Sequence, residues 1–119
     1  MDEKKARKAI VGILLDIGAG EHLLGFPMLE DAIVLWMGGE HRHIYKALAD
    51  KYGCHQQMAE RRIRQCIKYA FRNSDPKVLH GYLYSTVPTY RDTTPNYIYF
   101  ARIARKAAEK LELGEADGD

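Results

Sequence analysis

The sequence is poor in the features that hold secreted and membrane proteins together. It contains only two cysteines, Cys54 and Cys66, among 119 residues, which is too few for a disulfide framework. No apolar run approaches the roughly 18 residues that a membrane-spanning helix requires. The apolar stretch near the N-terminus is short and is interrupted by Asp16, so it does not resemble a signal peptide. These absences predict a cytoplasmic protein with reduced thiols and no contact with a membrane.

Patterns typical of enzymes and metal sites are absent as well. The chain has no CxxC motif, no HExxH motif and no Gly-rich phosphate-binding loop. The adjacent residues Cys54 and His55 are not placed as a nucleophile and its base. His41 and His43 form a pair that no neighbouring ligand completes. We therefore expect no catalytic residue, no bound metal and no cofactor, and we do not expect an enzyme.

Charge, in contrast, is plentiful and unevenly distributed. Charged residues make up 29% of the chain, but the net charge is only +2. Residues 40–72 nevertheless hold eight Lys and Arg residues against three acids, a net of +5, and the tail from Glu112 onward has four acids and no base. A local excess of positive charge attracts the phosphates of nucleic acids. We expect the acidic tail to be a flexible, solubilising end.

The apolar pattern is helical almost throughout and predicts an all-α protein. The length fits one domain, residues 1–119, with flexible ends at about residues 1–4 and 112–119. Apolar residues recur at intervals of three and four, and Gly and Pro residues interrupt them. Thr94 is predicted to cap the last helix. The predicted helices span residues 3–17, 27–37, 40–52, 56–72, 76–80 and 95–113, and an irregular loop spans residues 84–95.

Residues 44–71 hold the most informative pattern in the chain. Two predicted helices are separated by a short turn at Gly53, as in a helix-turn-helix DNA-binding motif. The apolar face of the second helix consists of Ala59, Ile63, Cys66, Ile67 and Ala70. Its polar face, with groups that hydrogen-bond to base edges and phosphates, consists of Gln57, Glu60, Arg61, Arg64 and Lys68. A basic solvent-exposed helix that binds nothing gives the same pattern, so the pattern alone leaves both interpretations open.

Three blocks of the chain carry residues at the spacing of one known family. The first block has Ile17-Gly18, His22, Gly25-Phe26, Leu29 and Ala32-Ile33. The second block, which joins core and polar-face positions in one register, has Ile44-Tyr45, Ala49, Lys51-Tyr52, Glu60-Arg61, Ile63-Arg64, Ile67 and Ala70. A weaker third block has Gly81-Tyr82, Pro95-Asn96, Ala101, Ile103-Ala104 and Lys106. Through these blocks, residues 8–110 resemble the C-terminal effector domain of the stage 0 sporulation response regulator family, transcription factors of endospore-forming bacteria.

The resemblance implies an all-α bundle of about six helices that binds double-stranded DNA and regulates transcription. It implies that the helix near residues 56–72 reads the major groove, with contacts from Gln56, Gln57, Met58, Glu60, Arg61, Arg64 and Lys68. The region after this helix contacts the sigma subunit of RNA polymerase in the family. A domain this small also favours a homodimer on adjacent half-sites. A phosphoacceptor receiver domain is not expected within this chain, because the resemblance begins close to Met1.

Departures from the family pattern favour an alternative function. Met58 stands where the family has an arginine that can pair with guanine, and losing such a pair removes on the order of 1–3 kcal/mol of base discrimination. The family's DNA sequence preference is therefore not expected to transfer. Two segments are also shorter than in the family. One connects the second and third predicted helices, and the other follows the predicted helix over residues 56–72. The alternative is a protein-interaction module on the same scaffold that has lost specific DNA reading, whereas the retained Glu60, Arg61 and Arg64 favour DNA reading.

Overall fold

The computed structural model describes residues 2–83 and 94–114, and all regular secondary structure in these ranges is helical. The prediction of an all-α bundle of about six helices is thereby confirmed. The helices are α1 (Glu3–Asp16), α2 (Gly25–Met37), α3 (Ile44–Tyr52), α4 (Gln56–Asn73), α5 (Pro76–Leu83) and α6 (Asn96–Glu112). Most of the predicted irregular loop, residues 84–93, and the end of the predicted acidic tail, residues 115–119, lie outside the described residues.

α2 is the central helix of the bundle and packs against α1, α3, α4 and α6. A helix that is enclosed on several sides must be apolar around most of its circumference. The helical period predicts that Leu29, Ala32, Ile33 and Trp36 face the core. Eight of the 13 residues of α2 are buried, including Leu29, Ala32 and Ile33. Trp36 is only partly buried at the end of this helix. α2 therefore supplies the platform on which the two helices of the motif, α3 and α4, are mounted.

The helical period predicts an apolar stripe on α1 that consists of Ala6, Ile10, Ile13, Leu14 and Ile17. This stripe and the predicted stripe of α4 are both buried, because each helix has one clearly apolar and one clearly polar face. The register predicted for α6 is partly wrong. The helical period predicts that Ile98, Ala101, Ile103, Ala104 and Ala108 lie in the core. Ala108 is exposed, however, and Ile98 and Ala101 are only partly buried. The buried face of α6 is instead formed by Asn96, Tyr99, Phe100, Ile103, Ala104 and Ala107.

α1 begins at Glu3, as the sequence predicts, although Glu3 lies within the end that is expected to be flexible. Two other helices, α2 and α6, begin at positions that differ from the predictions. α2 begins at Gly25 instead of Pro27, so the helix extends into the predicted loop. α6 begins at Asn96 and has no side-chain cap, so the predicted capping role of Thr94 is wrong. The Thr94 carbonyl oxygen has a different role, as a partner of α4.

The start of α3 shows how a polar side chain can delay a helix. The sequence predicts a start at Glu40, but α3 begins at Ile44. The carboxylate of Glu40 accepts hydrogen bonds from the backbone N–H groups of Arg42 and His43 at 2.8 and 2.9 Å. These local bonds hold residues 40–43 in a turn, because a side chain that satisfies nearby N–H groups competes with helix formation.

The turn between α3 and α4 forms at the predicted place. Gly53 has a left-handed backbone with φ of 64°, a conformation that glycine adopts without a steric penalty. The N–H of Cys54 donates to the carbonyl of Ala49 at 3.1 Å and closes the end of α3. His55 is extended, and α4 begins at the next residue. The helix-turn-helix geometry thus arises from a single glycine and one extended residue.

A buried carboxylate fixes α3 to α1 and α2. Asp31 of α2 is only 6% exposed. It accepts hydrogen bonds from Arg7 at 2.7 Å, from Lys51 at 2.8 Å and from the Tyr52 hydroxyl at 2.7 Å. Burial alone would raise the pKa of Asp31, but these donors outweigh burial and hold the pKa below its usual value. The first helix of the motif is therefore held in place by a satisfied charge network as well as by apolar contacts.

Within residues 2–83 and 94–114, no helix combines the length and the apolar character that crossing a membrane requires.

Candidate nucleic-acid interface

The outer face of α4 carries most of the predicted DNA-contacting side chains. This helix has a buried stripe on one side, and the residues opposite the stripe are accessible to solvent. The exposed members of the predicted set are Gln56, Gln57, Met58, Glu60, Arg61 and Lys68. A helix that is held on one face and polar on the other meets the geometric requirement for entry into the major groove.

A surface groove of about 840 Å³ runs beside α4. We call it the reader groove. One wall belongs to α4, and the other belongs to Tyr45 of α3 and to the residues at the start of α6. The α4 wall consists of Gln57, Glu60, Arg61, Arg64, Gln65 and Lys68, and the opposite wall of Tyr45, Thr94, Pro95, Asn96 and Tyr97. The structure therefore brings five of the seven predicted site residues together along one groove.

Arg64 is the member of this set whose environment differs most from the prediction. It is only partly buried, but its guanidinium is engaged by the protein itself. Its Nη1 donates to the Thr94 carbonyl at 2.6 Å and to Asn96 Oδ1 at 3.3 Å, and its guanidinium carbon lies 5.9 Å from the centre of the Tyr99 ring. Arg64 thus joins α4 to the start of α6 while lining the groove.

Met58 lies apart from the reader groove. It is 39% exposed and lines a separate depression of about 610 Å³ beside the turn of the motif, together with His55 and Arg62. Gln56 is exposed at the first position of α4, but it lines neither this depression nor the reader groove. The predicted site residues therefore fall into a main group along the groove and a smaller group at the start of the helix.

Six residues that line the groove are not among the predicted site residues: Tyr45, Gln65, Thr94, Pro95, Asn96 and Tyr97. Gln65 is exposed and follows Arg61 by one helical turn, so the helical period was a usable signal for it. Tyr45 and Asn96 carried no such signal, because they lie on other helices. Nδ2 of Asn96 donates to the Tyr45 hydroxyl at 3.2 Å and to the Glu60 carbonyl at 3.3 Å. Burial raises the pKa of Tyr45 above its usual value, so its hydroxyl stays protonated at neutral pH.

The positive charge of residues 40–72 is partly used within the protein. Lys51 binds the buried carboxylate of Asp31 at 2.8 Å, and Lys46 lies 3.4 Å from Asp50. The remaining cations of the reader groove are Arg61, Arg64 and Lys68, and Glu60 lies among them. The groove is therefore basic, but the charge that faces it is smaller than the count over residues 40–72 suggests.

His41, one member of the predicted histidine pair, has an aromatic partner. The ring of His41 stacks on Trp36 with centroids 3.9 Å apart, and its Nε2 lies 3.1 Å from the Trp36 carbonyl oxygen. Within the described residues, no group of three or more His, Cys, Asp or Glu side chains is placed to hold a metal ion. His41 therefore packs against the end of α2.

Comparison with known proteins gives one match. The family model described as "Sporulation initiation factor Spo0A C terminal" matches residues 10–107 of the 119-residue chain. This range contains α2 to α5, the second half of α1, most of α6 and every residue of the reader groove. No curated protein and no solved structure matches.

Proposed function

Because the chain belongs to the family of Spo0A C-terminal domains, which are DNA-binding effector domains of a sporulation regulator, we propose that it binds a specific DNA sequence. In this proposal α4 enters the major groove. The observation that carries it is the exposed row of Gln57, Glu60, Arg61 and Lys68 opposite the buried stripe of the same helix. The major groove presents a distinct set of donors and acceptors for each base pair.

The proposed contacts follow from the chemistry of the side chains. Arg61 donates to guanine or to a phosphate, and the amide of Gln57 matches adenine. Glu60 accepts a hydrogen bond from a cytosine amino group or orients a neighbouring arginine. Lys68, two turns further along α4, contacts a backbone phosphate. Arg64 contributes its charge from the wall of the reader groove, where its hydrogen bonds to the start of α6 restrict its orientation.

The proposed partners are double-stranded DNA and a second copy of the chain bound to an adjacent half-site. A single domain of this size covers little DNA, so pairing on DNA increases both affinity and specificity. In the family the region after the DNA-reading helix contacts the sigma subunit of RNA polymerase. α5 occupies that region here, and we propose the same contact for it. We propose a regulator without catalytic activity that acts on chromosomal DNA in the bacterial cytoplasm.

The alternative function is a protein-interaction module on the same scaffold. Met58 favours it, because this position holds an exposed apolar side chain in place of the family's arginine. Large exposed apolar groups are typical of protein contacts. Arg64 also favours it, because a guanidinium bound to Thr94 and Asn96 is less available to bases.

A binding titration tests the proposed function. Purified protein is titrated against three duplexes of equal length: one with the family's recognition box, one enriched from a randomised pool and one of random sequence. Each titration is repeated at two salt concentrations, roughly 50 and 200 mM. We expect weak binding to random DNA that falls steeply with salt and tighter binding to at least one of the other duplexes. Equal binding to all three duplexes, or no binding at either salt concentration, would support the interaction module.

A further inference from the structure

Asn96 links the reader helix to the rest of the protein. It is the first residue of α6, is only 6% exposed, and lines the reader groove with Tyr45 and Arg64. Its amide makes three hydrogen bonds: it accepts one from Arg64, and it donates to the Glu60 carbonyl and to the Tyr45 hydroxyl, at distances of 3.2 to 3.3 Å. The residue therefore contacts a main-chain atom and a side chain of α4 together with one side chain of α3.

The two contacts on α4 lie one helical turn apart on the same face. In a helix interior, a carbonyl already accepts the N–H of the residue four positions later, and its second lone pair can accept an additional donor. Asn96 uses that second lone pair at Glu60 and at the same time accepts a hydrogen bond from the Arg64 guanidinium. Only a side chain with both a donor and an acceptor can make this pair of contacts, and an amide has both.

We propose, on the basis of the function proposed above, that Asn96 is a positioning residue for sequence recognition. By holding the Arg64 guanidinium and the α4 main chain at Glu60, it sets the orientation of Arg64 in the reader groove before DNA binds. An arginine has many rotamers, and fixing them in advance removes an entropic cost from the complex. For one rotamer-rich side chain this corresponds to a change in affinity of about two- to tenfold.

The effect is expected on specific binding and not on general attraction to DNA. Asn96 is neutral, so replacing it leaves the charge of the groove unchanged. Non-specific binding depends on that charge and tolerates many orientations of the cationic side chains. Recognition of a base or of one particular phosphate requires a defined orientation. Loss of the amide should therefore lower the ratio of specific to random affinity and leave the salt dependence on random DNA unchanged.

The test compares four variants of the full chain by fluorescence anisotropy. The probes are the duplex that the wild type prefers after selection from a randomised pool and a random duplex of the same length. The variants are Asn96→Ala, Tyr45→Phe, Arg64→Ala and the double variant Asn96→Ala with Arg64→Ala. Asn73→Ala is the matched control, because Asn73 is exposed, donates to the Tyr69 carbonyl within α4 and does not line the groove. Circular dichroism and thermal unfolding show which variants are folded.

We expect Asn96→Ala to lower affinity for the preferred duplex about two- to tenfold, with random-duplex affinity and its salt slope unchanged. Its effect should disappear in the Arg64→Ala background, because Asn96 acts through Arg64. Tyr45→Phe removes one hydrogen bond of Asn96 and keeps the ring, so it should lower affinity for the preferred duplex by a smaller factor. This variant replaces Asn96→Ala in the test if Asn96→Ala does not fold. The control should bind both duplexes like the wild type.

Each other outcome overturns the inference. Equal losses on both duplexes, or losses that add in the double variant, would show that Asn96 acts only through the stability of the fold. Unchanged specificity in Asn96→Ala and Tyr45→Phe, with a wild type that does prefer one duplex, would overturn the positioning role alone. A wild type that prefers no duplex would overturn the proposed function and this inference together.

Discussion

Gly25 at the start of α2 lies directly against the backbone of Arg62 in α4. A Cβ atom at Gly25 would be 2.0 Å from the Arg62 carbonyl oxygen and 2.5 Å from its carbonyl carbon. Such distances are far below van der Waals contact, and the atoms involved are backbone atoms that cannot rotate away. α2 and α4 can therefore approach each other this closely only because residue 25 has no side chain.

Gly25→Ala is expected to lower the free energy of unfolding by about 1–3 kcal/mol, because the added methyl group forces α2 and α4 apart. Urea denaturation followed by circular dichroism measures the change. Gly12→Ala is the matched control: Gly12 is exposed in the middle of α1, and a Cβ there meets nothing within 4 Å. This control should be stabilised by roughly 0.5–1 kcal/mol through helix propensity. If both substitutions changed the free energy of unfolding equally, the close packing of α2 against α4 would be contradicted.

Asp31→Asn is expected to lower the free energy of unfolding at pH 7 by about 1–3 kcal/mol, because Arg7 and Lys51 lose their buried charged acceptor. The native pKa of Asp31 is depressed, so its contribution is present above the unfolded pKa of about 4 and is lost as pH falls through the native value. The difference between wild type and variant should therefore shrink in acid. Denaturation at pH 7 and below pH 4 tests this.

The control for this measurement is Asp50→Asn, which breaks an exposed ion pair with Lys46. Exposed pairs contribute little to stability, about 0–1 kcal/mol. A loss at Asp50 as large as that at Asp31 would show that general charge balance, and not the buried network, determines the effect.

Cys66 is expected to resist alkylation in the native protein. Burial raises the pKa of its thiol to about 11, so almost no thiolate is present at pH 8, and the sulfur is inaccessible. Cys54 is partly exposed and should react first. Mass spectrometry after iodoacetamide treatment, with and without urea, measures both sites. Modification of Cys66 in the folded state at the rate of Cys54 would contradict its placement in the core.

Glu60→Ala separates sequence reading from simple attraction of charge. If α4 is merely basic, removing a negative charge strengthens binding to every duplex. If Glu60 reads a base or orients an arginine, the variant should bind the preferred duplex more weakly or less selectively, with little loss on random DNA. We expect the second result in anisotropy titrations. Glu112→Ala removes the same charge at an exposed position outside the reader groove. It should change the affinities for the preferred duplex and for random DNA little.

Met58→Arg restores the side chain that the family has at this position. The variant should gain preference for the family's DNA box, by up to about tenfold, if the register of α4 corresponds to that of the family. Gln56→Arg adds the same charge at another exposed position near the start of the helix and serves as the control. Uniform strengthening of all duplexes by both variants would show a gain in charge alone and would favour the protein-interaction module.

The features that could be predicted from the sequence are those that depend on neighbours along the chain. The stripe of α4 and the turn at Gly53 follow from periodicity and from the left-handed preference of glycine. The hydrogen bonds of Arg64 do not follow from periodicity, because their acceptors lie 30 and 32 residues away in the sequence. The sequence places Gly25 in the loop before α2, since a close approach between helices leaves no periodic signal. Nothing near Asp31 in the sequence marks it as an acceptor of three donors, because Arg7, Lys51 and Tyr52 are at least 20 residues away.

The hydrogen bonds that Arg64 of α4 donates to Thr94 and Asn96 have a consequence for synthesis on the ribosome. The nascent chain contains the complete motif of α3 and α4 long before Asn96 emerges from the exit tunnel. Until then the Arg64 guanidinium lacks its bonds to Thr94 and Asn96, and α1 and α2 lack the apolar surface of α6. A truncated or unfinished product thus contains the motif without its support, and competence to select a DNA site is expected only when the C-terminal helix has docked.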